Sequence, residues 1–399
     1  MASGQAPTAD VKGVVGGERG TSPSPRKLSG RLYFADNLRT WLIVLVVLTH
    51  LAVVYTAVVP FYYVEPPPSY PLPLVVLVIF VLINQAYFMG LLFLISGYFS
   101  PGSLERKGPR RFIKDRLIRL GIPLVVFCFV LNPIASLGAY AMPASLSGIT
   151  TPLTWQDYPK LVGFGPGPIW FLAMLLIFDV AFAVWRVTRR NHIQRQSINK
   201  PPRCQAIAAF ILLLAVTSYL IRIIIPIGEF VAGFPTLSCL PQYISFFIVG
   251  TVAARHNWFQ SVPKSMGRKG FALALVATVT LFPLALSGGT DLLAGHGYWQ
   301  SAVYALWDST FAVGMSLGLI TLFRERINWS GKRSRFLQRH SYTVYIIQAP
   351  IIVFVAAVLL LGLQLEHLLK FGLAAVITVP LCFAAAYLVL KIPYASRVL

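Results

Sequence analysis

Long apolar runs separated by short polar connections dominate the pattern of this 399-residue chain. A helix that spans the hydrocarbon core of a bilayer needs about 20 apolar residues, and ten segments reach or approach that length. They lie at 41–60, 72–99, 120–141, 166–187, 205–226, 240–255, 270–288, 299–323, 342–362 and 368–390. The pattern predicts an all-α fold, a polytopic membrane helical bundle of about ten transmembrane helices in contact with the lipid bilayer.

The composition agrees with this fold class. Hydrophobic residues make up 56% of the chain and charged residues only 12%, a balance that is unusual for water-soluble domains. The connections leave no room for a sizeable soluble catalytic domain, so we expect any chemistry to lie in or beside the membrane. The 4 cysteines are too scattered to form a motif, and we expect no metal ion.

Two regions follow from the distribution of polar residues. Residues 1–31 are rich in Gly, Ser and Pro and are predicted to be a disordered polar tail. Residues 32–399 are predicted to form a single transmembrane domain. The first apolar segment is too long for the core of a signal peptide, so we expect it to remain as a membrane anchor.

The net charge of +21 raises nucleic-acid binding as a possible function, but the positions of Lys and Arg argue against it. They concentrate in alternate connections, and the outer set is poor in them: FYYVEPPPSYP and SGGTDLLAGHGYW have none, and 143–165 has only Lys160. The positive-inside rule then predicts an even number of spans with both termini in the cytoplasm. The basicity reflects topology, and we expect no nucleic-acid partner.

His50 is the first candidate for chemistry. It lies ten residues beyond Thr40, about 15 Å along a helix, which is half of a hydrocarbon core about 30 Å thick. An imidazole at this depth is costly without a partner and marks a functional site. A neutral histidine that is hydrogen-bonded between helices is the structural alternative.

Arg39 shares a helix face with His50. The two are eleven residues apart and differ by about 20° around the helix axis. We expect a cation at the cytoplasmic mouth of a groove and an imidazole deep inside it. The alternative is an arginine that only extends to the lipid headgroups.

Asp179 and Asp308 are carboxylates well inside predicted spans. Either could accept a proton from one ring nitrogen of His50 and so raise the basicity of the other, as a general base requires. A structural bond to a neighbouring helix is the alternative for each. Arg222 is a candidate to pair with Glu229 for structural reasons.

Arg116 and Arg119 lie in the first basic connection, three residues apart. On a helix they point the same way, and two guanidinium groups on one face suit a phosphate or pyrophosphate. The alternative is a topology determinant or a contact with anionic lipids.

Six passages, in order along the chain, resemble the integral-membrane acyltransferase-3 family. In ADNLRTWLIVLVVLTH, Arg39 and His50 are separated by ten residues, which is similar to the family hallmark of a basic residue, ten others and a histidine. The other passages are FLISGYFS at 93–100, RLIR at 116–119, GPIWFLAMLL at 167–176, PQYISFFIVG at 241–250 and HSYTVYIIQAP at 340–350. Two features depart from many relatives, which have two adjacent histidines where this chain has Thr49 and His50, and a histidine near Gln348.

The resemblance implies an acyltransferase-3-like transmembrane domain over residues 32–399. It implies transfer of a short acyl group, usually acetyl, from acyl-CoA to a hydroxyl of a carbohydrate, a glycolipid or a small natural product. Acetyl-CoA is then the expected co-substrate. His50 maps onto the catalytic residue of the family, and we expect Arg39, Arg116 and Arg119 to bind the phosphates of the coenzyme.

Two other functions remain open from the residues alone. A buried histidine and aspartates among many spans also suit a proton-coupled secondary transporter or a lipid translocator. The sequence has no repeated halves, which speaks against that class. The glutamine at position 348 leaves open a scaffold that retains only the fold.

Overall fold

The computed structural model describes residue 1 and residues 31–56, 61–68, 70–149, 154–157, 166–189, 201–231, 233–234 and 237–399. Within these residues, ten helices are long and apolar enough to cross a membrane. They are α1 Tyr33–Val54, α2 Leu72–Lys107, α3 Pro109–Ala141, α4 Gly167–Thr188, α5 Cys204–Ile224, α6 Leu237–Arg255, α7 Lys264–Leu286, α8 Trp299–Arg326, α9 Lys332–Leu359 and α10 His367–Val389. The predicted all-α membrane fold is confirmed.

The helices belong to one compact unit, Tyr33–Leu399. Most of the predicted tail, together with Lys160 and the basic stretch 190–200, lies outside the described residues. Short helices occupy connections at Ala144–Ser147, Trp258–Ser261 and Thr290–Ala294, and another follows α10 at Ala395–Val398. The described residues contain no strand beyond an isolated bridge between Val231 and Phe234.

Several helices extend beyond the apolar segments that predicted them. α1 begins at Tyr33 rather than at 41, α9 begins at Lys332 rather than at 342, and α2 continues to Lys107. With 36 residues, α2 is about 54 Å long, well beyond a hydrocarbon core of about 30 Å. Hydropathy identifies the part of a helix that contacts lipid tails, whereas basic turns extend the same helix into the headgroup region.

The connections meet at two opposite ends of the bundle. At the end where α1 begins, here called the N-side end, the Nδ2 of Asn37 donates to the carbonyl oxygen of Ile327 at 2.7 Å. Arg324 there donates to the carbonyl oxygen of Gln260 at 3.0 Å. At the other end, here called the far end, Lys370 pairs with Glu65 at 2.5 Å. The connections alternate as the charge pattern requires.

Two glycines bring α2 and α6 into close contact. A Cβ on Gly97 would lie 2.2 Å from the carbonyl oxygen of Phe247, and one on Gly250 would lie 2.2 Å from that of Leu94. Small residues allow such backbone approach between membrane helices. Both glycines belong to passages that carry the family resemblance, and the contact holds the stretch of α2 that leads to Phe99 and Ser100.

Helix α3 is irregular. It contains two π-helical segments, Leu117–Gly121 and Phe127–Leu131. Pro123 has no N–H group for the carbonyl of Arg119, four residues earlier. The Tyr342 hydroxyl on α9 donates to that carbonyl oxygen instead. The interruption in α3 is therefore stabilised from α9, and it lies at the predicted arginine pair.

Candidate active site

His50 lies on α1 with its ring directed into protein. The Phe61 ring stacks on the imidazole at a centroid distance of 5.7 Å and an interplanar angle of 20°, and the Gln348 side chain of α9 lies against it. The Nδ1 atom is buried and has no hydrogen-bond partner among the described residues.

Residues 61 and 62, in the connection after α1, pack against His50 and α3. Beyond Phe61, the Tyr62 hydroxyl donates to the Oδ1 of Asn132 on α3 at 2.5 Å. Gly167, at the start of α4, has φ +48°, and a Cβ there would lie 2.6 Å from the Tyr62 hydroxyl oxygen. The glycine of GPIWFLAMLL thus makes room for the residues that enclose the imidazole.

Gln348 is completely buried, with an exposed fraction of 0%. Within the described chain, neither its Oε1 nor its Nε2 has a hydrogen-bond partner. Its carboxamide is close enough to interact with His50, although no pair of their atoms meets hydrogen-bond geometry. The α9 helix packs along α1, and this packing brings the two side chains together.

Of the two buried carboxylates, Asp179 is the one nearer the N-side end of the bundle. Its Oδ2 lies 3.0 Å from the Nε of Arg116, and its Oδ1 accepts a 2.6 Å hydrogen bond from the Ser100 hydroxyl. Asp179 and Ser100 are both fully buried. Three helices, α2, α3 and α4, therefore meet at one arginine of the predicted pair.

Arg39 reaches the same stretch of α2. Its guanidinium carbon lies 5.5 Å from the centroid of the ring of Phe99, the residue before Ser100. The Nη1 of Arg39 also lies 3.6 Å from the Oδ1 of Asp36. A cation over an aromatic face is attracted by the ring quadrupole. Arg39 thus lies at Phe99, and Arg116 is linked to the next residue, Ser100, through Asp179.

Arg119 is exposed, and its backbone is held by Tyr342. Tyr342 lies within electrostatic range of both Arg116 and Arg119. The structure therefore gathers Arg39, Arg116 and Arg119 at the N-side end of the bundle. The groove predicted to lead from these arginines to His50 stays a prediction.

Asp308 lies in a different part of the bundle. Its Oδ2 is 2.5 Å from the Nη2 of Arg222, and the Arg222 guanidinium carbon lies 5.2 Å from the centroid of the Tyr304 ring. The suggested pairing of Arg222 with Glu229 is wrong, because Glu229 is exposed and the desolvated guanidinium requires a buried anion.

Neither carboxylate orients His50 through the contacts found in the described residues. Asp179 pairs with Arg116 and Asp308 with Arg222, whereas the side chain that lies against the imidazole is Gln348. The physical reason is charge: a buried carboxylate gains more from an arginine, which is always cationic, than from a neutral imidazole.

The site therefore has two parts along α1. Arg39 and His50 are eleven residues apart, about 16 Å along the helix. Guanidinium groups at the N-side end can bind phosphate. An imidazole whose buried Nδ1 has no partner among the described residues can accept a proton. The arrangement suits a long anionic molecule that places its reactive end at His50.

The sequence did not assign roles to Phe61, Ser100 or Tyr342. Ser100 and Tyr342 lie in passages that carry the family resemblance, and that resemblance was the available signal for them. Their contacts join helices that are far apart in the chain, which residue spacing within a single helix does not reveal. Phe61 follows the first span and had no such signal.

A family model described as an acyltransferase domain matches residues 32–387. The chain is 24% identical over 346 residues to Glucans biosynthesis protein C of Salmonella heidelberg, with 84% of each chain covered. It is similar, at 24% and 23% identity and the same coverage, to the proteins of that name in Salmonella schwarzengrund and Salmonella paratyphi A. The matched range includes every residue of the candidate site.

Proposed function

Because the chain belongs to the acyltransferase-3 family and is a multi-pass membrane acyltransferase, we propose that it transfers a short acyl group from acyl-CoA to a carbohydrate hydroxyl. Acetyl is the proposed group. The relatives are named for glucans, and this supports a glucan, free or lipid-linked, as the acceptor. The observation that carries the proposal is an imidazole with a buried Nδ1 on the same helix as Arg39, one of three arginines at the N-side end.

The donor is proposed to approach from the cytoplasm. Lys and Arg concentrate at the N-side end, and the positive-inside rule assigns such an end to the cytoplasm, where coenzyme A is available. Arg39, Arg116 and Arg119 would bind the coenzyme phosphates. The extended arm of the coenzyme would then carry the thioester towards His50.

In the proposed reaction, His50 acts as general base. The acceptor hydroxyl gives its proton to the imidazole while its oxygen attacks the thioester carbonyl carbon. Collapse of the tetrahedral intermediate breaks the carbon–sulfur bond, and the departing thiolate takes the proton from His50. The Phe61 ring over the imidazole excludes water that would otherwise hydrolyse the thioester.

Replacement of His50 by Ala tests this function. Proton transfer of this kind contributes about 10²- to 10⁴-fold to a rate, so we expect H50A to lose activity by that factor. The measurement is acceptor-dependent release of free coenzyme A from acetyl-CoA by purified protein. His296→Asn is the matched control, because His296 is exposed with φ +60°, a conformation that Asn tolerates.

The same assay separates the enzyme from a transporter. A proton-coupled transporter with a histidine relay would release no coenzyme A with any acceptor. Wild-type activity in H50A, with H296N equally active, would remove His50 from the reaction.

A further inference from the structure

The carboxamide of Gln348 is buried, and its nearest polar side chain in the described part of the chain is that of His50. Its exposed fraction is 0%, and both of its polar atoms lack hydrogen bonds in the described part of the chain. A buried amide that is left unpaired costs free energy comparable to lost hydrogen bonds. An apolar side chain of similar length would avoid this cost, so the fold alone does not explain a glutamine at this position.

The unpartnered groups lie together. The Gln348 side chain is adjacent to His50, whose Nδ1 is also buried and unpartnered in the described residues. The neighbours of Gln348 on α9 are apolar or already bonded: Ala349 is fully buried, and the Tyr345 hydroxyl donates to the carbonyl oxygen of Pro168 at 3.0 Å. The amide therefore lies next to the proposed base, beside neighbours on α9 that do not bond to it.

A group needed only during the reaction would have these properties. Preorganised N–H donors that point to where negative charge develops stabilise a transition state strongly, because they act in a site from which water is excluded. A carboxamide is such a donor and keeps its N–H at every physiological pH. A carboxylate lacks this donor when ionised.

We propose that Gln348 is a catalytic residue whose Nε2 donates a hydrogen bond to the thioester oxygen as that oxygen becomes an oxyanion. This role rests on the proposed acyl transfer. The electron pair of the carbonyl moves onto oxygen when the acceptor hydroxyl attacks, and returns when the thiolate leaves. Gln348 exchanges no proton in the step, so His50 alone carries the transferred proton.

The test compares Gln348→Met with Gln348→His. The Met variant keeps the length of the side chain and removes the donor, whereas the His variant supplies a ring N–H. We expect Q348M to lose about 10²- to 10³-fold in kcat, the usual effect of removing one such donor, with the Kd for acetyl-CoA changed less than twofold. We expect kcat of Q348H to be at least tenfold higher than that of Q348M.

The readouts are acceptor-dependent coenzyme A release, acetyl-CoA binding by calorimetry, and thermal unfolding in detergent. A purely structural Gln348 would instead give a Q348M protein with a lower Tm and parallel losses in binding and turnover, and that result would overturn the role. So would a Q348M protein with kcat within threefold of an active wild type. If wild type itself releases no coenzyme A, the proposed function fails and this role fails with it.

Discussion

Two buried aspartates, Asp179 and Asp308, pair with arginines in opposite halves of the bundle and in different surroundings. The Asp308–Arg222 pair is almost completely enclosed, with side-chain exposures of 6% and 1%. In the Asp179–Arg116 pair the carboxylate is fully buried while 23% of the arginine side chain is exposed. The first pair is thus enclosed by protein, whereas the second leaves part of its arginine accessible.

The difference in exposure indicates different roles. A fully enclosed ion pair holds helices together and cannot contact a substrate. A partly exposed arginine that is anchored by a buried carboxylate has lost much of its conformational freedom before a phosphate arrives, and such preorganisation favours binding. We therefore expect the Asp308–Arg222 pair, here called the far pair, to govern folding. We expect the Asp179–Arg116 pair, here called the N-side pair, to govern the affinity for the donor.

Replacement of Arg222 by Ala should have the largest effect. It leaves Asp308 buried without its cation, and breaking a buried pair in this way typically costs about 3–5 kcal/mol. We expect little folded protein in detergent, measured by size-exclusion chromatography and by thermal unfolding. The control is the double variant Arg222→Met, Asp308→Val, which removes both charges and should recover most of the folded yield.

A folded R222A protein whose only defect is a raised KM for acetyl-CoA would contradict the comparison. It would mean that the far pair contacts the donor, contrary to its enclosure by α5 and α8.

Replacement of Asp179 by Asn should act mainly on donor binding. The amide still accepts the Ser100 hydrogen bond, but the ion pair with Arg116 is lost. Arg116 can still be hydrated, so stability should fall by less than about 1 kcal/mol. We expect the KM for acetyl-CoA to rise about tenfold, which corresponds to about 1.4 kcal/mol, with little change in kcat.

Removal of a negative charge also has an opposing effect, because it strengthens the attraction for phosphate. We expect this effect to be the smaller one, since the same connection already carries Arg110, Arg111, Lys114 and Arg119. Asp115→Asn is the matched control, because Asp115 pairs with Lys107 in a partly exposed bridge, and its KM should change less than twofold. A lower KM in D179N than in wild type would show that orientation of Arg116 is unimportant.

The spans and the N-side arginines could be predicted because each depends on positions within one segment. Apolar length predicts a membrane helix, and the spacing of Arg39 and His50 predicts a shared face. The helix ends were placed too far inside at Tyr33 and Lys332, because hydropathy reports contact with lipid tails and not the extent of the helix.

The partners of the buried charges could not be predicted. Asp179 pairs with Arg116 on α3 and Asp308 with Arg222 on α5. Both pairings depend on which helices are neighbours in three dimensions. The sequence limited Asp179 and Asp308 to the bundle interior, where a charged group needs a partner, but several cations on other helices satisfied that condition equally.

Replacement of Ser100 by Ala should have the smallest effect and tests the N-side pair most closely. Hydrogen bonds between membrane helices average about 0.6 kcal/mol, so the KM for acetyl-CoA should rise about threefold through a less fixed Asp179. In the D179N background the same change should raise KM less than 1.5-fold, because no ion pair remains to be oriented. Such non-additivity is expected when Ser100 acts through Asp179.

The control is Ser309→Ala, which removes an equally buried hydroxyl next to Asp308 and should leave KM unchanged. If S100A raised KM by the same factor in both backgrounds, Ser100 would influence the donor by a route that does not pass through Asp179. The Asp179–Arg116 pair would then be no better supported as a donor-binding element than the enclosed Asp308–Arg222 pair.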